Sequence, residues 1–246
     1  MSKPANKVAI VTGASRGIGA AVAKRLTADG FAVVVNYAGD AAPAEQLARE
    51  LGGAGGYALA VRADVANPAA VRELFDAAER EFGGVDVLVN SAGIMPLSPI
   101  AETDDQAFDR IVAINLKGTF NALREAAKRL RKGGRIINFS SSVVGLLMPT
   151  YAVYTATKAG VEAMTSIFAK ELRGREITVN AVAPGPTATD LFLKGKSQET
   201  IDRFAKGPPL ERLGQPKDIA NVVSFLAGPD GGWVNGQTLR ANGGLV

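Results

Sequence analysis

The chain contains neither cysteine nor histidine. Without cysteine there is no disulfide framework, no thiol nucleophile and no thiolate metal site. Without histidine a Ser-His-Asp hydrolase and a Cys/His zinc site are also excluded. Long apolar runs are missing, none approaching the roughly 20 residues of a membrane helix. Charge of one sign is missing as well: 28 basic against 24 acidic residues leave a scattered net +4, which does not argue for nucleic acid. The lead Met1-Ser2-Lys3-Pro4 carries no apolar signal segment, so a cytoplasmic location is expected, with no membrane partner. Chemistry must therefore rest on Ser, Tyr, Lys, Asn, carboxylates, backbone groups or a borrowed cofactor.

What is present is an alternation. In 246 residues, 47% of them apolar, short β-branched runs recur at 7–12, 32–36, 57–62, 85–90, 135–140, 177–183 and 237–241. Most are apolar on both faces, the pattern of strands in a buried parallel sheet. Helical stretches separate them. Residues 69–82 follow the cap pair Asn67-Pro68, and Thr103-Asp104-Asp105-Gln106 has capping-box spacing that opens a long helix through Asn115 toward Leu130. A further helix starts near Tyr151 and runs to about Arg173. No linker or repeat divides the chain, so residues 1–246 are expected to form one doubly wound, Rossmann-type α/β domain. It would hold seven parallel strands with helices on both faces. The proline-punctuated segment at about 186–214, with Leu191, Phe192 and Leu193, breaks the alternation and is expected to act as a lid over a ligand.

The first strand runs into Thr12-Gly13-Ala14-Ser15-Arg16-Gly17-Ile18-Gly19 and then a helix. Glycines there let backbone N–H groups approach a phosphate at a helix N-terminus. The place of the turn, after the first strand, points to a dinucleotide held by residues 13 and 15–19. NAD sites usually carry an acid at the end of the second strand; this chain has Val35-Asn36-Tyr37-Ala38, with Asn36 and Tyr37 as candidate cofactor contacts. Arg16 offers a fork for a 2′-phosphate, so NADP(H) is favoured and NAD(H) remains possible.

Tyr154 and Lys158 are four apart on a predicted helix, on one face and about 6 Å apart along the axis. An ammonium there is expected to lower the Tyr pKa from about 10 toward neutrality, suiting Tyr to give a proton to a carbonyl or take one from an alcohol. Such a pair arises by chance roughly one time in five in a chain of this composition. The combination decides. Ser140-Ser141-Ser142 ends the fifth strand and Asn90-Ser91-Ala92-Gly93 the fourth, both at the carboxyl edge where open α/β sheets bind ligands.

These residues together resemble the short-chain dehydrogenase/reductase family over essentially the whole chain. Thr12–Gly19 is similar to its Thr-Gly-x-x-x-Gly-x-Gly turn, Asn90–Gly93 to Asn-Asn-Ala-Gly with Ser91 in the second position, and Tyr154–Lys158 to Tyr-x-x-x-Lys. Pro184-Gly185 follows the sixth strand as in that family. The resemblance implies a tetrad of Asn115, Ser141, Tyr154 and Lys158. Tyr154 would be the general acid/base, Ser141 would bind the substrate oxygen, and Lys158 would lower the Tyr154 pKa and hold the nicotinamide ribose. Asn115 would support a proton relay, and Ser142 is the alternative serine. It also implies cofactor contacts from Asp64 and Val65 at the adenine and from Asn90, Ala92 and Gly93 at the ribose. Pro184, Gly185, Thr187 and Thr189 would meet the nicotinamide, and a homotetramer is implied.

Ile94, Met95, Leu146, Leu147, Met148, Tyr151 and Phe192 are candidate pocket residues, mostly apolar, and suggest a hydrophobic or ester-like ketone. Relatives by resemblance include 3-oxoacyl-carrier-protein reductases. Arg129, Arg131 and Lys132 form a basic turn that could meet an acyl carrier protein, although a solvated loop is the plainer account. The expected activity is NADPH-dependent reduction of a ketone or 3-oxoacyl compound, or the reverse oxidation of an alcohol. The alternatives are an NAD-linked alcohol or sugar dehydrogenase and a non-catalytic dinucleotide sensor.

Overall fold

Strand β1 (Val8–Thr12) is apolar and buried on both faces, which only a strand covered on both sides can be. β2 (Ala32–Tyr37), β3 (Tyr57–Arg62), β4 (Val85–Asn90), β5 (Leu130–Phe139), β6 (Thr178–Pro184) and β7 (Thr238–Ala241) join it in one seven-stranded sheet of order β3-β2-β1-β4-β5-β6-β7. Every pairing is parallel. The computed structural model describes residues 7–246; the lead Met1-Ser2-Lys3-Pro4 lies outside them.

Ten helices connect the described strands: α1 (Gly17–Ala28), α2 (Ala42–Gly53), α3 (Pro68–Phe82), α4 (Asp105–Ile111), α5 (Gly118–Arg129), α6 (Val143–Leu146), α7 (Ala152–Glu171), α8 (Asp190–Leu193), α9 (Gln198–Lys206) and α10 (Pro216–Ala227). One face of the sheet is covered by Val22 and Leu26 of α1 with Ile219, Val223 and Leu226 of α10. The other meets Leu74 and Phe75 of α3 and Leu123 and Ala126 of α5. The strand order reverses between β1 and β4, so a crevice opens above their carboxyl ends.

Three expectations change in detail. The helix expected from 103 toward 130 is α4, a π-helical turn over Val112–Lys117, and α5. Its cap is Asp104, whose Oδ1 accepts from Ala107 N at 2.7 Å, while Thr103 Oγ1 donates to Pro99 O. β5 starts at Leu130, which pairs with Val85; the chain then bulges until register resumes at Val87↔Arg135. The 186–214 excursion contains α8 and α9, and Thr187 bridges Gly214 at its base.

Candidate functional site

The site is built where β1 and β4 end side by side. Thr12 Oγ1 accepts from Ser91 N and Ala92 N, both at 3.1 Å, which locks the glycine turn to the end of β4. Gly13 and Gly17 have φ of +63° and +57°, in the left-handed region glycine adopts without strain. A Cβ on Gly13 would stand 2.8 Å from Ala92 Cα, so the two segments touch backbone to backbone. Gly17 lies across from Thr189, whose Cγ2 would be 3.6 Å from an added Cβ; the β6 loop thus faces the turn over the crevice. Ile18 packs into the core and Ser15 is half-buried. Arg16 caps α1 in extended conformation with its side chain exposed. The α1 N-terminus and this cation together suit an anionic diphosphate.

Beside the turn the expectations need correction. Asn36 is buried with its whole amide committed: Oδ1 accepts from Gly13 N at 3.3 Å, and Nδ2 donates to Ala63 O at 2.9 Å. It braces β1, β2 and β3 at their ends, and no donor is left for a ribose. Tyr37 packs against the core and stands in register with Arg62, which the sequence reasoning missed. Arg62 Nε donates to Ala38 O at 3.2 Å, which lays an exposed guanidinium over the end of β2. A basic residue in register with the position that lacks an acid was the signal available. Asp64 is exposed, its Oδ1 accepting from Ala66 N. The Val65 side chain is buried in the core and its carbonyl accepts from Asn121 Nδ2, leaving only its N–H for an adenine.

Tyr154 and Lys158 project from α7 toward the ends of β4 and β5. Lys158 is buried and its Nζ donates to Phe139 O at 2.8 Å, standing 5.6 Å from the Tyr154 ring centroid. Asn115 is wholly buried in the π-helical turn. Its side chain clamps Ile94, accepting from the N–H and donating to the C=O, both at 2.9 Å. Its carbonyl is taken by Thr119 Oγ1 at 2.9 Å. Gly93 lies between them: a Cβ there would be 3.4 Å from Asn115 Oδ1 and 3.7 Å from Lys158 Nζ. π-Helical turns of this kind recur at functional sites.

The two candidate serines part company. Ser141 lies beside the Tyr154 hydroxyl, near enough to oppose the rise in its pKa, and its Oγ accepts from Val143 N at 3.4 Å. Ser142 is buried and turned toward β6, donating to Ala183 O at 3.3 Å. Electrostatics also differ from expectation. Burial pushes Tyr154 up to about 12 against the opposing Ser141 hydrogen bond, and burial pushes Lys158 down to about 8. Desolvation is the largest cause for both groups, so the expected lowering of the phenol is not what this site produces.

Around the pair, Tyr151 is buried with its ring edge-on to Tyr154 at 6.5 Å. Ser98 N donates to Thr150 O at 3.1 Å, which ties the loop carrying Ile94 and Met95 to the one carrying Met148. Leu147 and Thr150 hold φ of 51° and 72°, and Leu147 is 74% exposed at the rim. Phe192 stacks edge-on with Phe204 at 5.3 Å within the excursion. Thr187 is buried, its hydroxyl donating to Gly185 O at 2.9 Å, and Thr189 caps α8. The charges of the basic turn are paired within the chain. Arg129 pairs with Asp76, Glu79 and Glu125, Arg131 with Asp86, and Lys132 with Glu176. The turn also opens β5, at the sheet edge opposite the crevice.

A family model described as enoyl-(acyl carrier protein) reductase matches residues 13–246. A short-chain type dehydrogenase/reductase of Picea abies is 48% identical over 250 residues, 98% of this chain and 92% of that protein. A chloroplastic NADPH-dependent aldehyde reductase-like protein of Arabidopsis thaliana is 47% identical over 256 residues, 98% of this chain and 95% of that one. Among solved structures, a short chain dehydrogenase from Burkholderia cenocepacia in complex with NADP is similar at a TM-score of 0.92 and 36% identity, covering 97% of each chain.

Proposed function

The chain belongs to the short-chain dehydrogenase/reductase family and is an oxidoreductase, and from that premise we propose that it reduces aldehydes or ketones bearing apolar substituents, with NADPH as the cofactor. The observation that carries this reading is the placing of Tyr154 and the buried Lys158 side by side on α7 at the carboxyl edge, with Nζ 5.6 Å from the Tyr154 ring centroid and bonded to Phe139 O. The glycine turn, the free α1 N-terminus and the Arg16 fork fit a phosphorylated dinucleotide.

When bound, NADPH supplies the hydride. Ser141 Oγ holds the substrate oxygen, and Tyr154 gives that oxygen its proton. Burial keeps Tyr154 protonated near neutrality, the state reduction requires. Lys158, with a pKa about 8, is an ammonium at pH 7 and returns the proton to Tyr154. Asn115 holds the Ile94 backbone and so shapes the wall beside Lys158. The apolar rim of Met95, Met148, Tyr151 and Phe192 receives the substituents. Exposed Phe108 on α4 and Phe120 on α5 support pairing of these helices between copies in a homotetramer.

Initial rates of NADPH and NADH oxidation against an aliphatic aldehyde, an aryl ketone, an acetoacetyl ester, an acetoacetyl thioester and an enoyl thioester test the reading. Turnover of the carbonyls with NADPH preferred is the expected result. Preference for NADH, or reduction of the enoyl compound alone, would overturn it.

A further inference from the structure

The tetrad accounts for Ser141 but leaves open what holds the loop that carries it. That loop turns sharply after β5 and has its firmest anchor one residue later. Ser142 N donates to Pro184 O at 3.0 Å and Ser142 Oγ donates to Ala183 O at 3.3 Å, both on β6. The same Oγ accepts from Asn242 Nδ2 at 3.0 Å, across 100 residues of sequence. Asn242 is buried, and its amide is fully used: Nδ2 also donates to Val246 O at 3.3 Å, while Oδ1 accepts from Gly244 N and Leu245 N at 3.0 and 3.2 Å.

The same residue sets the loop after β6. Gly185 N donates to Ala241 O at 3.0 Å. A Cβ on Gly185 would stand 2.8 Å from Asn242 Cβ, so Gly185 lies flat on Asn242. The turn that Oδ1 organises reaches two further walls. Leu245 lies 3.3 Å from a Cβ on Gly207, Gly243 lies against Pro208, and Val246 lies 3.0 Å from a Cβ on Gly145. Asn242 thus meets the serine loop and the β6 loop directly, and the turn its amide organises reaches the base of the excursion and the rim near Leu146.

We propose that Asn242 is a positioning residue for the reaction: acting through Ser142, it fixes the height of Ser141 above the sheet relative to the Pro184–Gly185 wall of the cofactor crevice. The proposal rests on the carbonyl-reductase reading. Buried polar groups used in full specify one arrangement, and a displacement near 1 Å at a reacting centre costs about 100-fold in rate.

A double-mutant cycle of Asn242→Ala and Ser142→Ala tests it. Each single variant is expected to lower kcat ~10- to 100-fold with the NADPH Kd within about threefold, and the double variant to fall no further than the worse single one. Losses that multiply, an unchanged kcat, or parallel loss of NADPH binding and thermal stability would overturn it and leave Asn242 a tail anchor. Hydrogen exchange over residues 140–147 reads the same coupling without turnover. It should quicken equally in all three variants, and unchanged exchange refutes the proposal. A wild-type protein inactive on every carbonyl would instead refute the reductase reading. If Asn242→Ala does not fold, Ser142→Ala with Asn242→Asp, which keeps the Oδ1 turn, completes the cycle under the same criteria.

Discussion

Replacing Lys158 by Met removes an ammonium from a buried position while keeping most of its volume. Burial lowers the Lys158 pKa from 10.5 to about 8. The folded protein therefore disfavours the charged form, and the unfolded chain holds the proton over the interval between those values. That penalty is fully present below about pH 8 and is relieved as pH rises toward 10.5, so the wild type gains stability with pH across this window. At about 1.36 kcal/mol per pH unit, the wild type should gain ~2 kcal/mol relative to Lys158→Met between pH 7 and 10. The bond from Nζ to Phe139 O is lost in the variant at every pH, and the Tyr154 contribution is common to both proteins, so neither sets the slope. Urea unfolding of both proteins at pH 7, 8, 9 and 10 measures the difference directly. A flat difference would mean that Nζ is hydrated in the folded protein, and the buried ammonium assigned to the proton relay would be wrong.

Arg16→Ala and Arg62→Ala should each raise the Kd for NADPH about 10-fold or more, from loss of a charge-assisted hydrogen bond of ~1.5–3 kcal/mol. Titration with NADH should show little change, and equal losses for both cofactors would place the 2′-phosphate elsewhere. Gly19→Ala puts a Cβ 2.4 Å from Gly13 O, a backbone atom that cannot yield without opening the turn. NADPH binding followed by fluorescence should be abolished and stability should fall ~1–3 kcal/mol. Asn115→Ala leaves the Ile94 N–H and C=O without partners, and should lower stability by ~2 kcal/mol or more in a denaturant titration.

Much of this was legible in the sequence. The runs at 57–62 and 85–90 are strands with those bounds: 85–90 is a short apolar run in the sheet interior and almost wholly buried, whereas 57–62 is the half-covered edge strand, short and bounded by glycines on its N-terminal side. Asn67-Pro68 marked the start of α3 for the same kind of local reason: Asn67 Oδ1 accepts from Ala69 N, and proline needs no donor there. The π-helical turn at Asn115 was hidden, since one extra residue per turn leaves an apolar helical pattern intact over so short a span. The early start of β5 was hidden as well, because Arg131–Gly134 carries turn residues and Leu130 joins the sheet only by pairing with Val85. Within the site, spacing singled out Tyr154, Lys158 and the serine run, and the resemblance Asn115, but neither showed how the serines differ in the fold. That depends on Ser142 being drawn toward β6 and Asn242, a contact 100 residues away. The fate of the Asn36 amide and the basic turn's charges was likewise set by partners distant in sequence.

The most direct test is NADPH oxidation by the wild type and Tyr154→Phe on an aliphatic aldehyde and an aryl ketone, with the NADPH Kd measured in parallel. A general acid contributes about 10²- to 10⁴-fold, so the variant should lose at least 100-fold in kcat with its Kd for NADPH within about threefold. A variant that turns over as fast as the wild type would contradict the account, because the proton would then reach the substrate oxygen from some other group.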